Sequence, residues 1–262
     1  MAVFYVLVTA FGFIVGSFLT VVIHRVPRGE SVISPPSRCP ACRHRIQLWH
    51  NIPVAGWLVR RGRCARCAAP IAVRYPLVEL GTGGAFAVVT ARTLGLGLPC
   101  AVPAFLYFTA ISVALAAIDL EHQRLPNAIV LPSYPVLAVL LAVSSAVSGQ
   151  WWPFSRAVLG AALLFGFFLL LVWLYPAGIG FGDVRLSGVV GGVLAYVSWA
   201  ALVVGALAGF TLGALTGVAL MASGRGGRKT ALPFAPFLFG GAFVGIFAGD
   251  AIAAGYVGLL AG

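Results

Sequence analysis

Apolar runs of about twenty residues, nearly free of charge, follow one another along this chain and leave few ways to fold it. At 1.5 Å per residue a helix of that length crosses the hydrocarbon core of a bilayer. A water-soluble domain carries roughly 25% charged residues, whereas this one has 9%, with six Asp and Glu among 262 residues. That leaves too little polar surface to cover a globule in water, and the 61% hydrophobic content excludes disorder. The expected class is therefore an all-α polytopic membrane protein of about eight transmembrane helices. Spans are expected at Ala2–Ile23, Leu77–Ala91, Cys100–Ile118, Ala128–Val147 and Ala157–Tyr175. Two more share Val184–Met221, turning near Tyr196–Ala200, and the last covers Ala235–Leu260.

Charge sets the orientation. Placing Ile23–Pro76 in the cytoplasm puts its ten cations inside, with Arg124, Arg185, Arg225, Arg228 and Lys229, and leaves only Arg92 and Arg156 outside. Both termini then face outward, and the first span reads as a retained anchor, since Arg25 and Arg28 follow it and no small-residue cleavage site does. Trp151 and Trp152 fit an outer aromatic belt. The net charge of +11 faces anionic lipid at the inner surface, so membrane lipid, and not nucleic acid, is the expected partner. The chain divides into a first helix (1–23), a cytoplasmic loop domain (24–76) and a membrane core (77–262).

The loop holds two CxxC pairs, Cys39 with Cys42 and Cys64 with Cys67. Thiolates so spaced can close on one tetrahedral ion and hold together a segment too small for its own core. A structural zinc knuckle is expected. Disulfides are the rival, disfavoured in a reducing compartment. His44 and His50 are substitute ligands, and Cys100 is a packing residue.

Of the six acids, Glu30, Glu79, Asp119, Glu121, Asp183 and Asp250, two stand out. Asp119 ends the third span, and Asp183 follows the fifth in Gly180-Phe-Gly182-Asp183, which brings both to the same inner depth. Two carboxylates sharing a proton can activate water and protonate a leaving group without a covalent intermediate. Gly180 and Gly182 would let a peptide backbone approach Asp183. Other readings stand beside catalysis: Asp183 as a helix N-cap, Asp119 as a solvated helix end, or both as the relay of a proton-coupled transporter. His24 and His122 read as interfacial. Glu79, one turn into the second span, pairs with an Arg or orients the loop.

Several segments together resemble the type IV prepilin peptidases: GSFLTVVIHRVP from Gly16, the four-cysteine loop with NIPVAGWLVRRGRC from Asn51, and RYPLVELGTG from Arg74. IDLEHQRLPN from Ile118, GFGDVRL from Gly180 and LPFAPFLFGGA from Leu232 follow in the family's order. The resemblance implies that Asp119 and Asp183 are the catalytic aspartates, with GFGD matching a GxGD signature. It also implies that Cys39, Cys42, Cys64 and Cys67 are the family's cytoplasmic cysteines. It further implies an inner-membrane enzyme that removes a short basic leader from prepilins or pseudopilins. The same enzyme would then methylate the new N-terminus from S-adenosylmethionine. Asn127, Arg185, Ala235 and Thr20 depart from that pattern, where Asp, Lys, Gly and Asn are usual.

Overall fold

The computed structural model describes residues 2–34, 36, 38–39, 41–45, 52–175, 180–224 and 232–261. His50, Arg225, Arg228 and Lys229 lie outside the described residues. Nine α-helices occur among those described: α1 (Ala2–Arg25), α2 (Ala55–Val59), α3 (Arg74–Gly95), α4 (Val102–His122), α5 (Asn127–Ser148), α6 (Trp152–Leu174), α7 (Phe181–Val197), α8 (Trp199–Ala222) and α9 (Ala235–Ala261). All but α2 stand where a span was expected. Six of them, α1, α4, α5, α6, α8 and α9, are long and apolar enough to cross a membrane. The other two are α3, which carries Arg74, Glu79 and Arg92, and α7, with 17 residues. At 1.5 Å per residue α7 is about 26 Å long, just short of a ~30 Å hydrocarbon core. The expected break between α7 and α8 falls at Ser198, whose Oγ accepts the Ala201 N–H at 2.9 Å.

The chain forms two compact units, residues 1–91 with 109–114, and the remainder. In the first, α1 and α3 meet at glycines. A Cβ on Gly12 would lie 2.8 Å from the Gly83 Cα, and one on Gly16 would lie 2.8 Å from the Glu79 Cα. Close backbone contact is how helices gain dispersion energy where lipid tails already satisfy apolar side chains. The opposite face of α1 exposes Val3, Leu7, Phe11, Ile14 and Phe18. Beyond it, the two CxxC segments are built alike. Cys39 N–H donates to the His44 carbonyl and Arg43 N–H to Cys39; Cys64 N–H donates to Ala69 and Ala68 N–H to Cys64. Arg43 (φ 54°) and Ala68 (φ 55°) occupy the left-handed region at the same offset, so the knuckle is a short structural repeat that the sequence hides.

In the second unit α7 is enclosed by α5, α6, α8 and α9, and most of its side chains are buried. Glycine again sets the spacing: α6 and α7 touch at Gly160 and Gly191, and α8 and α9 at Gly205, Gly209, Gly241 and Gly245. A Cβ on Gly241 would come within 2.3 Å of the Gly209 nitrogen. Arg156 on α6 closes the far end of α7. Its Nε donates to the Ala195 carbonyl, and its Nη2 to those of Tyr196 (2.6 Å) and Val197 (2.7 Å). A guanidinium at a helix C-terminus satisfies orphan carbonyls and opposes the negative end of the helix dipole. Tyr196, fully buried, donates to Ser144 Oγ at 3.0 Å on α5.

A candidate aspartate site and a four-cysteine centre

Three helix ends in the second unit build the aspartate site. Helix α4 stops because Gln123 turns left-handed (φ 50°) and its N–H caps the Asp119 carbonyl at 2.8 Å. That leaves the Asp119 side chain, 5% exposed, in the last turn of α4. Its Oδ2 accepts the N–H of Ala235 at 3.0 Å. Ala235 is the first residue of α9, and Pro236, which has no N–H, follows it. Asp119 therefore supplies the N-terminal cap of a helix that lies 116 residues downstream.

Asp183 is held locally. Gly180, in extended conformation, is the N-cap of α7, which puts Asp183 at the third helical position. The Asp183 N–H donates to the Gly180 carbonyl at 3.0 Å, and the Asp183 carboxylate accepts a backbone bond from Gly180. This is the carboxylate half of a capping box, with glycine in place of the usual Ser or Thr. The reading of Asp183 as the cap itself is thus corrected by one turn. Each aspartate stands at the positive end of a helix dipole, α9 for one and α7 for the other. The two are close enough to act on each other electrostatically.

Around them, Gly182 packs on Leu125, whose Cβ would lie 3.1 Å from a Cβ added there. A Cβ on Gly180 would lie 3.5 Å from Asp183 Oδ2. Two departures noted separately in the sequence touch each other: Arg185 Nη1 donates to Asn127 Oδ1 at 2.5 Å. Tyr134 on α5 donates to the Arg185 carbonyl at 2.6 Å. His122, which the sequence suggested was interfacial, has an enclosed Nε2.

Glu79 belongs to the first unit. It is buried, and its Oε2 accepts the Val54 N–H at 2.6 Å. Val54 (φ 60°, ψ −53°) is the centre of a γ-turn closed by Ala55 N–H on the Pro53 carbonyl, a strained conformation for a β-branched residue. Of the two readings for Glu79, loop orientation matches this bond.

The four cysteine Sγ atoms lie within 4.8 Å of one another, with Cys39 and Cys67 3.8 Å apart and Cys42 and Cys64 4.0 Å apart. Thiolates about 2.3 Å from a tetrahedral ion would be separated by about 3.8 Å, so the donor set, with Sγ atoms within 4.8 Å of one another, fits one metal ion. The Arg66 backbone N–H, then that of Cys67, pulls the Cys64 thiol down to about 6. Cys67 moves the other way, to about 11: the backbone bond from Ala69 pulls it down, but desolvation and the sulfurs of Cys42, Cys64 and Cys39 together push it up by more. His44 Nδ1 pairs with Arg66 Nη1 at 2.9 Å, and the four sulfurs complete the set without it.

Comparison with known proteins places these features in a family. Residues 10–93 match the bacterial peptidase A24 N-terminal domain, and residues 106–262 match the type IV leader peptidase family. The chain is 34% identical to the prepilin leader peptidase/N-methyltransferase of Pseudomonas putida, over 99% of its own length and 96% of that protein's. It is 32% identical to the protein of the same name from Stutzerimonas stutzeri, over 94% and 91%. A third of that name, from Myxococcus xanthus, is 36% identical over 87% and 66%. No solved structure matches. With more than half its length matched by the second of those families, and near full-length likeness to two such proteins, the chain belongs to the type IV leader peptidase family.

Proposed function

We propose that this chain is a membrane aspartic endopeptidase that removes the short basic leader of type IV prepilins or pseudopilins. It then methylates the amine it has released, from S-adenosylmethionine. The observation that carries this reading is the meeting of Asp119 and Asp183 at three helix ends, in a chain of this family. Like charges at that range favour a shared proton. One carboxylate takes a proton from water, whose oxygen attacks the scissile carbonyl; the other gives a proton to the leaving amine. Gly180 keeps side-chain bulk away from the Asp183 carboxylate, while the space at Gly182 is taken by Leu125.

The site faces the cytoplasm in this reading, supported by fifteen of seventeen cations falling on that side. A prepilin carries a cytosolic leader ahead of an apolar helix, so its cut point lies at that interface. Cys39, Cys42, Cys64 and Cys67 hold zinc, a borderline-soft ion suited to a closed thiolate shell. The metal is structural: four protein ligands leave it no open position for water. Nothing in the family points to transport.

The test is mass spectrometry of a co-expressed prepilin with wild type, Asp119→Asn and Asp183→Asn, membrane insertion being verified for each. Leader loss with wild type alone, accompanied by one added methyl group, is expected. A prepilin that stays intact with well-folded wild type, or is still cut by either variant, refutes the reading.

A further inference from the structure

Hydrolysis by two aspartates needs more than their nearness; each must turn an oxygen to the reacting water. At Asp119 one oxygen is already committed. Oδ2 accepts the Ala235 N–H at 3.0 Å, while Oδ1 has no partner among the described residues. Holding one oxygen fixes the plane of the carboxylate and leaves the other for water. The orientation of Asp119 then depends on what holds the Ala235 amide.

The start of α9 explains why that donor is free. The Phe234 carbonyl accepts the N–H groups of Phe237 and Leu238, both at 3.0 Å, and Pro236 has no N–H. Of the first-turn donors, Ala235 alone has no partner in its own helix. The residue from which a helix starts is usually Ser, Thr, Asp or Asn, whose side-chain oxygen caps the turn. Here it is a phenyl ring, which packs instead. Its centroid lies 5.4 Å from that of Phe210 on α8 and 5.9 Å from that of Phe168 on α6, and those two lie 5.3 Å apart. Tilted rings at this range attract beyond the area they bury, and Phe168 is fully buried. Helix α8 makes room with glycine. A Cβ on Gly213 would lie 3.4 Å from Phe234 Cε2, and one on Gly217 would lie 3.4 Å from Leu232 Cδ1. The ring is thus gripped by α6 and α8, while the amide one residue on reaches α4.

We propose that Phe234 is a positioning residue for the cleavage, its ring anchoring the Ala235 amide that orients Asp119; the proposal rests on the aspartic peptidase reading. The influence passes from ring to backbone to carboxylate, and Phe234 itself touches no reacting atom. Because the ring faces α6 and α8, its loss should slow the chemical step and leave substrate affinity nearly unchanged. Without the ring, the first turn of α9 would keep the carbonyl of residue 234 but lose the packing that aims its one outward donor.

The test compares the full chain with Phe234→Ala and Phe234→Leu in phospholipid nanodiscs, measuring cleavage of full-length prepilin and residue-resolved hydrogen exchange. In Phe234→Ala, kcat should fall at least about tenfold, since a displacement near 1 Å can cost about a hundredfold. KM should stay within about twofold. Exchange at the Ala235 amide should quicken by about tenfold or more. Phe234→Leu, which refills most of the space, should keep kcat within about threefold. Leu141→Ala, which empties a buried site in α5, is the control for lost core packing. It should melt earlier yet hold kcat within about twofold. An equal fall of kcat in Leu141→Ala, a loss carried by KM, or unchanged Ala235 exchange in Phe234→Ala overturns the proposal. Should both Phe234 variants fail to fold, Phe210→Ala decides: it removes the partner ring at 5.4 Å, and Ala235 exchange as slow as in wild type overturns the proposal. A wild type that cuts no prepilin refutes the peptidase reading and the proposal with it. A wild type that cuts, with Phe234→Ala equally fast, refutes the proposal alone.

Discussion

Asp119 has two duties that substitution can separate. Its carboxylate is both a proposed proton carrier and the acceptor for the first N–H of α9. In Asp119→Ala the buried Ala235 N–H loses its only described acceptor, and an orphaned buried donor costs about 1–3 kcal/mol. The missing helix cap, typically about 1 kcal/mol, is the same bond and is not added again. Taking about 2 kcal/mol, and about 2–4 °C per kcal/mol for a chain of this size, melting should fall by about 4–8 °C. Asp119→Asn keeps a carbonyl oxygen for Ala235 and loses only the charge assistance, about 1 kcal/mol or less. Its melting should shift by no more than about 4 °C. Cleavage should nevertheless drop by at least about 100-fold in both, because neither residue can exchange a proton with water. Tryptophan fluorescence during heating in detergent reads the first effect, and mass spectrometry of a prepilin reads the second. Equal melting of the two variants would refute the capping argument, and cleavage by Asp119→Asn would refute the proton-carrier argument.

Three further outcomes follow from the packing and the loop. Gly241→Val should destabilise by at least about 2 kcal/mol through overpacking, since a Cβ there meets the Gly209 backbone at 2.3 Å; a melting point within error of wild type would count against the α8–α9 contact. Val54→Gly should relieve the γ-turn and make residues 52–73 more resistant to limited proteolysis, with stabilisation up to about 1 kcal/mol. Faster digestion would show the turn to be unstrained. Chelation, or Cys42→Ser, should release one zinc ion per chain by elemental analysis and expose the loop to protease; a loop equally resistant without metal would sink the structural role of zinc.

The helices were largely legible in the sequence because hydrocarbon thickness is a ruler that ignores tertiary detail. So were the cysteines, whose spacing alone lets four sulfurs meet, and the approach of Asp119 to Asp183. What escaped was every contact made by a backbone group, since all residues present the same N–H and carbonyl. Ala235 drew notice only as an unusual side chain, whereas its amide is what meets Asp119. Arg156 read as one of two cations on the outer side, and no local pattern announces that it closes α7. Asp183 was misplaced by one turn because Gly180, with no side chain to recognise, is the cap. His122 looked ordinary because enclosure of a single nitrogen depends on what folds over it.

The grip of Arg156 on α7 has a consequence for how the chain can vary. That helix is fixed at its far end by three carbonyls and carries Asp183 at its near tip, 13 residues away from Tyr196. With both ends committed, the number of residues between them becomes a fixed dimension, like the length of a key between bow and bit. One residue more or fewer would advance the carboxylate by about 1.5 Å and swing it about 100° around the helix axis. Substitutions along α7 can be absorbed by repacking; insertions and deletions cannot. The membrane part of this protein should therefore tolerate changes of composition far better than changes of count.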